Sequence, residues 1–137
     1  MKIPWLVTTK LLSESPIGIF DSGLGGLTVL TSLEKILPYE SFVYFGDTAH
    51  VPYGSKSAET VIRHSGDIME FFLAHNTKAV VIACNTASAV AYEKLRNSYN
   101  IPLFDVLAPS VVHSNNISKT RKIGVIGTQS TIYSRAY

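Results

Sequence analysis

Apolar residues in this chain gather into short runs, and the segments between them repeat apolar positions every three or four residues. The runs fall at residues 17–20, 41–46, 80–83, 101–104 and 122–127, and each reads as a β-strand. The third, Val80, Val81, Ile82 and Ala83, is an unbroken β-branched and small apolar stretch that predicts a strand buried on both faces. A helix is expected from residue 28 to about 37, with Val29, Leu33, Ile36 and Leu37 on one face and Pro38 ending it. Ser57 suits the N-cap of a second helix running to about His75, its apolar stripe formed by Ala58, Val61, Ile62, Met69, Phe72 and Leu73. An alanine-rich helix with Ala87, Val90, Ala91 and Leu95 on one side follows the third strand. Residues 106–116 read as a loop and a helix, and 128–137 as a turn opening another helix. Pro102 places the fourth strand away from the sheet centre, or marks its start.

Strand and helix alternate without a hairpin signal, which predicts an α/β fold with an open, parallel, doubly wound sheet. Residues 1–16, ending in Ser13-Glu14-Ser15-Pro16, read as an N-terminal extension. Residues 17–104 read as a first α/β domain and 105–137 as the start of a second, similar one, broken off as a βα unit begins.

Composition narrows the classes. With 46% hydrophobic and 16% charged residues the chain is globular in character. Its net charge of +2 comes from scattered basic residues, which leaves no footprint for nucleic acid. No apolar run approaches the roughly 20 residues that span a bilayer. The short apolar centre of the N-terminus is broken by Pro4, Thr8 and Lys10, unlike a secretory signal. A single cysteine makes no internal disulfide and suits a reducing compartment, so a cytoplasmic location is expected.

Three strand ends carry polar groups to the rim where open α/β sheets bind ligands. They are Asp21 and Ser22 after the first strand, Pro52, Tyr53 and Gly54 in the loop after the second, and Cys84, Asn85 and Thr86 after the third. Cys84 stands at or just before a helix N-terminus, where the macrodipole favours thiolate. A thiolate can be a nucleophile or a proton-transfer base, and Asp21 could take a proton or orient a cationic group. Each piece has an ordinary structural alternative. Cys84 could be a small core hydrophobe. Asp21 and Ser22 could cap the glycine turn, Pro52 to Gly54 could punctuate a loop, and Asn85 or Thr86 could cap the helix. Convergence on one rim is what favours a site.

The turn Gly23-Leu24-Gly25-Gly26-Leu27-Thr28 follows a strand and opens a helix, as a dinucleotide loop does. Thr28 stands where the third glycine is needed, and no Lys-Ser/Thr pair follows. Asp47 lies near the distance expected of a ribose ligand, which keeps a nucleotide-binding domain as an alternative. His50, His64, His75 and His113 show no metal-ligand spacing with each other or with Cys84, so no metal is expected. His64 and His75 are expected to face solvent, while His50 could touch a ligand in the rim loop.

Taken together, these segments resemble the glutamate racemases of the cofactor-independent aspartate/glutamate racemase superfamily. The resemblance lies in Ile17-Gly-Ile-Phe-Asp-Ser-Gly-Leu-Gly-Gly-Leu-Thr-Val-Leu30, in Tyr44-Phe-Gly-Asp-Thr-Ala49 with Val51-Pro-Tyr-Gly54 and Lys56-Ser57, in Ala83-Cys-Asn-Thr-Ala-Ser88, and in Ile123-Gly-Val-Ile-Gly-Thr128. It implies interconversion of D- and L-glutamate between two thiols, without a cofactor, supplying D-glutamate for bacterial peptidoglycan. By the resemblance Cys84 handles the D-enantiomer with Asp21 as the acid beside it. Asp21, Ser22, Pro52, Tyr53, Gly54, Asn85 and Thr86 then match substrate-binding positions. A homodimer is compatible with this. The second thiol of such enzymes, in a Cys-Thr-His motif of a second domain, has no counterpart here. The 137 residues alone are therefore expected to bind glutamate poorly and not to racemise it. A non-catalytic dimerising or regulatory module is the remaining alternative.

Overall fold

The computed structural model describes residues 14–137. Its elements are β1 (Ile17–Asp21), α1 (Leu27–Ile36), β2 (Phe42–Gly46), a 3-10 turn (Tyr53–Ser55), α2 (Ala58–Ala74), β3 (Ala79–Ile82), α3 (Asn85–Ser98), β4 (Leu103–Asp105), α4 (Leu107–Ile117) and α5 (Gln129–Ser134). The four strands form one parallel sheet in the order β2-β1-β3-β4. Strand order reverses between β1 and β3, so their carboxyl ends flank the switch point where doubly wound sheets open a crevice. β4 is an edge strand, as Pro102 suggests.

The core lies on one face of the sheet. Phe20, Val80 and Ile82 pack there with Val61, Met69 and Phe72 of α2 and Ala87, Ala91 and Leu95 of α3. Small residues on α3 let it sit close to the sheet and to α2, while Phe72 fills the space over Gly18, its ring 6.4 Å from that of Phe20. Ser57 caps α2 as expected, its Oγ accepting from the Thr60 N–H at 3.3 Å. Lys78, just before β3, is ion-paired to Glu40, just before β2, across the amino end of the sheet.

The other face is covered only in part, which corrects the reading of β3. Val80 and Ile82 are buried, but Ala79 and Val81 stay half-open above an apolar depression shared with Ile17, Val29, Leu33 and Phe104. α1 buries no residue completely, and Ile36 is 70% exposed rather than on a packed face. In α2, Ala58 and Leu73 also lie exposed at the two ends of the stripe.

The run at 122–127 forms no strand. Its backbone finds no ladder partner among the described residues, and Ile123, Val125 and Ile126 face solvent. A β-branched run becomes a strand only beside another strand. Residues beyond it do order: Thr128 caps α5, and α5 packs on α3 and on the 3-10 turn. No helix among the described residues is long and apolar enough to cross a membrane.

Candidate active site at the carboxyl ends of β1 and β3

Cys84 leaves β3 and becomes the N-cap of α3. Its Sγ accepts the Ala87 N–H at 3.5 Å, and its carbonyl accepts the Ser88 N–H at 2.8 Å. The alternative in which Asn85 or Thr86 caps the helix does not hold, for both already lie in its first turn. The sulfur is the capping atom because the chain at Cys84 is still extended (φ −84°, ψ 119°) and aims the side chain back over the turn. The thiol also donates to Ser22 Oγ at 3.5 Å, across the switch point from β1. Cys84 is only 5% exposed, yet its surroundings mix aliphatic carbons with a hydroxyl and the helix N–H groups.

Asp21 closes β1 and turns its carboxylate inward. Oδ2 accepts the N–H of Gly23 at 3.0 Å and of Gly26 at 3.2 Å, so the carboxylate builds the glycine turn. Tyr44 of β2 pins the same turn by donating to the Gly23 carbonyl at 3.0 Å. Gly26 is required there by space, since a Cβ would lie 2.7 Å from Asp21 Cβ and 2.9 Å from Ala83 Cβ. The Tyr44 hydroxyl is held above its ordinary pKa by burial, then by the charges of Asp21 and Cys84. It stays a donor.

The loop after β2 is organised by Asp47, which is buried. Its carboxylate accepts from the Tyr53 hydroxyl at 2.6 Å and meets His50 Nδ1 at 2.8 Å, while its backbone N–H donates to the Asp21 carbonyl at 2.9 Å. Tyr53 is raised above the ordinary phenol range by burial, then by its hydrogen bond to Asp47 and that carboxylate's charge. Asp47 thus ties the glycine turn to the Pro52-Tyr53-Gly54 loop. Tyr53 is buried, Gly54 half-buried and Pro52 exposed.

Residues 128–137 close the other side. Thr86 Oγ1 lies 3.0 Å from Thr128 Oγ1 and 3.5 Å from Thr131 Oγ1. Ser130 Oγ donates to the carbonyls of Gly54 and Lys56, and the Tyr137 hydroxyl donates to Asn85 Oδ1 at 3.0 Å. Thr128, Thr131 and Tyr44 lie outside the three polar strand ends, and only the place of Thr128 at the end of the apolar run at 122–127 marks one of them in sequence. The structure therefore brings Asp21, Ser22 and Cys84 to one switch point and places Tyr53, Gly54, Asn85 and Thr86 around it.

His64 is a correction: it is 7% exposed, with its ring stacked on those of His50 (centroids 3.9 Å apart) and Tyr53 (6.1 Å). His75 is exposed, as expected. Burial first, then His50 and Arg63, lower the His64 pKa from its ordinary 6.5. The unfolded chain therefore binds this proton more readily than the folded one. The stability conferred by a neutral His64 is present above pH 6.5 and lost as pH falls through the folded pKa. Urea midpoints of the wild type are expected to fall on acidification below that pH, and those of His64→Gln to fall less. Equal slopes would remove His64 as the source.

Residues 19–137 match the Asp/Glu/hydantoin racemase family model. A glutamate racemase of Geobacter metallireducens is 51% identical over 121 residues, 88% of this chain and 45% of that protein. The crystal structure of glutamate racemase from Thermus thermophilus with β-chloro-D-alanine superimposes with a TM-score of 0.84 at 48% identity, over 90% of this chain and 47% of that one. The Francisella tularensis glutamate racemase, in complex with D-glutamate, also gives 0.84, at 42% identity, over 92% of this chain and 47% of that one. The chain spans about half the length of the curated relatives it matches.

Proposed function

The chain belongs to the Asp/Glu/hydantoin racemase family, and from that premise we propose that Cys84 is one of two thiols that move the α-proton of glutamate. The observation that carries this is the placement of the sulfur: at the switch point, at the N-terminus of α3, and in contact with the Ser22 hydroxyl. Beside the sulfur, the Ser22 hydroxyl and the exposed Asn85 amide are donors for a substrate carboxylate.

In the step assigned to this half, the Cys84 thiolate takes the α-hydrogen of D-glutamate. The Cα–H bond breaks, an S–H bond forms, and the electron pair is left on Cα and spreads into the α-carboxylate. Donors placed before the reaction stabilise that charge without reorganising. Inversion requires a second acid on the opposite face, which returns a proton to Cα. With one cysteine among these 137 residues, that thiol comes from outside them, and residues 105–137 are read as the opening of the domain that supplies it. Asp21 acts by fixing the glycine turn that carries Ser22 to the sulfur. The chemistry needs no cofactor, and its product suits peptidoglycan synthesis in the bacterial cytoplasm.

Calorimetry separates this reading from a nucleotide site on the glycine turn. D-Glutamate is expected to bind weakly and saturably while ATP and NAD give no heat. Binding of a nucleotide without glutamate would overturn it. The turn itself favours this outcome: its Gly23 and Gly26 N–H groups are already taken by Asp21.

A further inference from the structure

Outside the thiol crevice, one group of side chains has ligand chemistry that the racemase reading leaves unused. Asp47, His50 and His64 come from two different elements, the loop after β2 and the middle of α2. One potential ligand atom from each lies within 4.8 Å of the others. His50 Nδ1 is already 2.8 and 3.0 Å from the two Asp47 oxygens. In a tetrahedral zinc site with bonds of about 2.0–2.1 Å, neighbouring ligand atoms sit roughly 3.3 Å apart. The His50–Asp47 edge is near that length already, and turning the stacked His64 ring closes the remaining gap.

We propose that Asp47, His50 and His64 form a binding site for a divalent transition metal of the zinc class. Two imidazoles and one carboxylate suit zinc, cobalt or nickel better than calcium or magnesium, which take oxygen ligands. The surroundings have the features such a site needs. The Tyr53 hydroxyl, 2.6 Å from Asp47 Oδ2, orients the carboxylate as an outer-shell donor. His64 stands on a seventeen-residue helix, so its backbone position is fixed and only its ring has to turn. His50 is exposed on the loop, which gives an ion its entry path and leaves a fourth position to water. With its proton on Nε2, His50 presents the Nδ1 lone pair to the metal, which takes the place between Nδ1 and the Asp47 carboxylate. Binding would clamp the loop that carries Tyr53 and Gly54 onto α2.

Titration of the whole chain with Co2+ and Zn2+ tests this. Co2+ is expected to bind one per chain and give the intense visible absorption of a tetrahedral ion, displaced by Zn2+. His50→Gln and His64→Gln should each weaken binding at least as much as the roughly 10–100-fold that loss of an outer-shell partner costs. His75→Gln, His113→Gln and Cys84→Ser should leave it unchanged. Because His64 is in the core, far-UV circular dichroism accompanies that variant, and the exposed His50 provides a test that folding does not touch. Absence of saturable Co2+ binding, retention of binding in His50→Gln, or its loss in Cys84→Ser would each overturn the proposal.

Discussion

Cys84→Ala is expected to lower the exchange of the D-glutamate α-hydrogen in heavy water by about 10²–10⁴-fold, the contribution of a positioned proton-transfer group. The substitution also removes the sulfur that caps α3, so the alanine variant alone confuses chemistry with stability. Cys84→Ser resolves this. A serine oxygen can accept the Ala87 N–H that the sulfur now accepts at 3.5 Å, and serine is among the better N-caps. Its hydroxyl is not appreciably ionised near neutral pH. The serine variant is therefore expected to keep the wild-type urea midpoint and to exchange as poorly as alanine. Exchange retained in both would detach the sulfur from the reaction, whatever the family likeness.

Gly46→Ala is expected to cost about 3 kcal/mol of stability, at the upper end of what overpacking does. Gly46 ends β2 beside Asp21 in the ladder, and a Cβ there would lie 2.5 Å from the Gly23 carbonyl oxygen and 3.3 Å from the Tyr44 ring. The closest atom is backbone, so no rotamer change relieves the contact. The glycine turn that Asp21 and Tyr44 hold would have to move, and with it Ser22. Denaturant unfolding measures the loss. A midpoint within error of wild type would show that the turn is softer than its hydrogen bonds suggest.

The parts of this fold that local pattern could reveal are those where a residue's own neighbours in sequence decide its state. The Ser57 cap, the alanine face of α3 and the three glycines of the turn are of this kind. Burial at the sheet's second face was not, because it depends on what lies over Ile17 and Val81 rather than on their β-branched character. The run at 122–127 failed for the same reason: pairing needs a second strand. His64 was misplaced because polarity alone suggested solvent, whereas the rings of His50 and Tyr53 stack over it from an element fourteen and eleven residues away in sequence. The rim was legible as a set of strand ends. The hydroxyl cluster of Thr86, Thr128 and Thr131 was not, since its members are forty-two and forty-five residues apart.

For Asp21 the capping role and the proposed site role coincide. Its carboxylate is spent on the Gly23 and Gly26 N–H groups, as the modest structural reading of the sequence expected, yet that same bonding holds Ser22 against the sulfur. The contribution proposed for Asp21 is therefore positioning rather than proton transfer.

The most direct measurement offers D- and L-glutamate separately to this chain in heavy water and follows α-deuterium by NMR alongside the enantiomer by chiral chromatography. A single thiol on one face predicts that deuterium enters D-glutamate alone and that the product remains D. Equal deuteration of both enantiomers, or conversion of either into the other by these 137 residues, would contradict it, as would a complete absence of exchange.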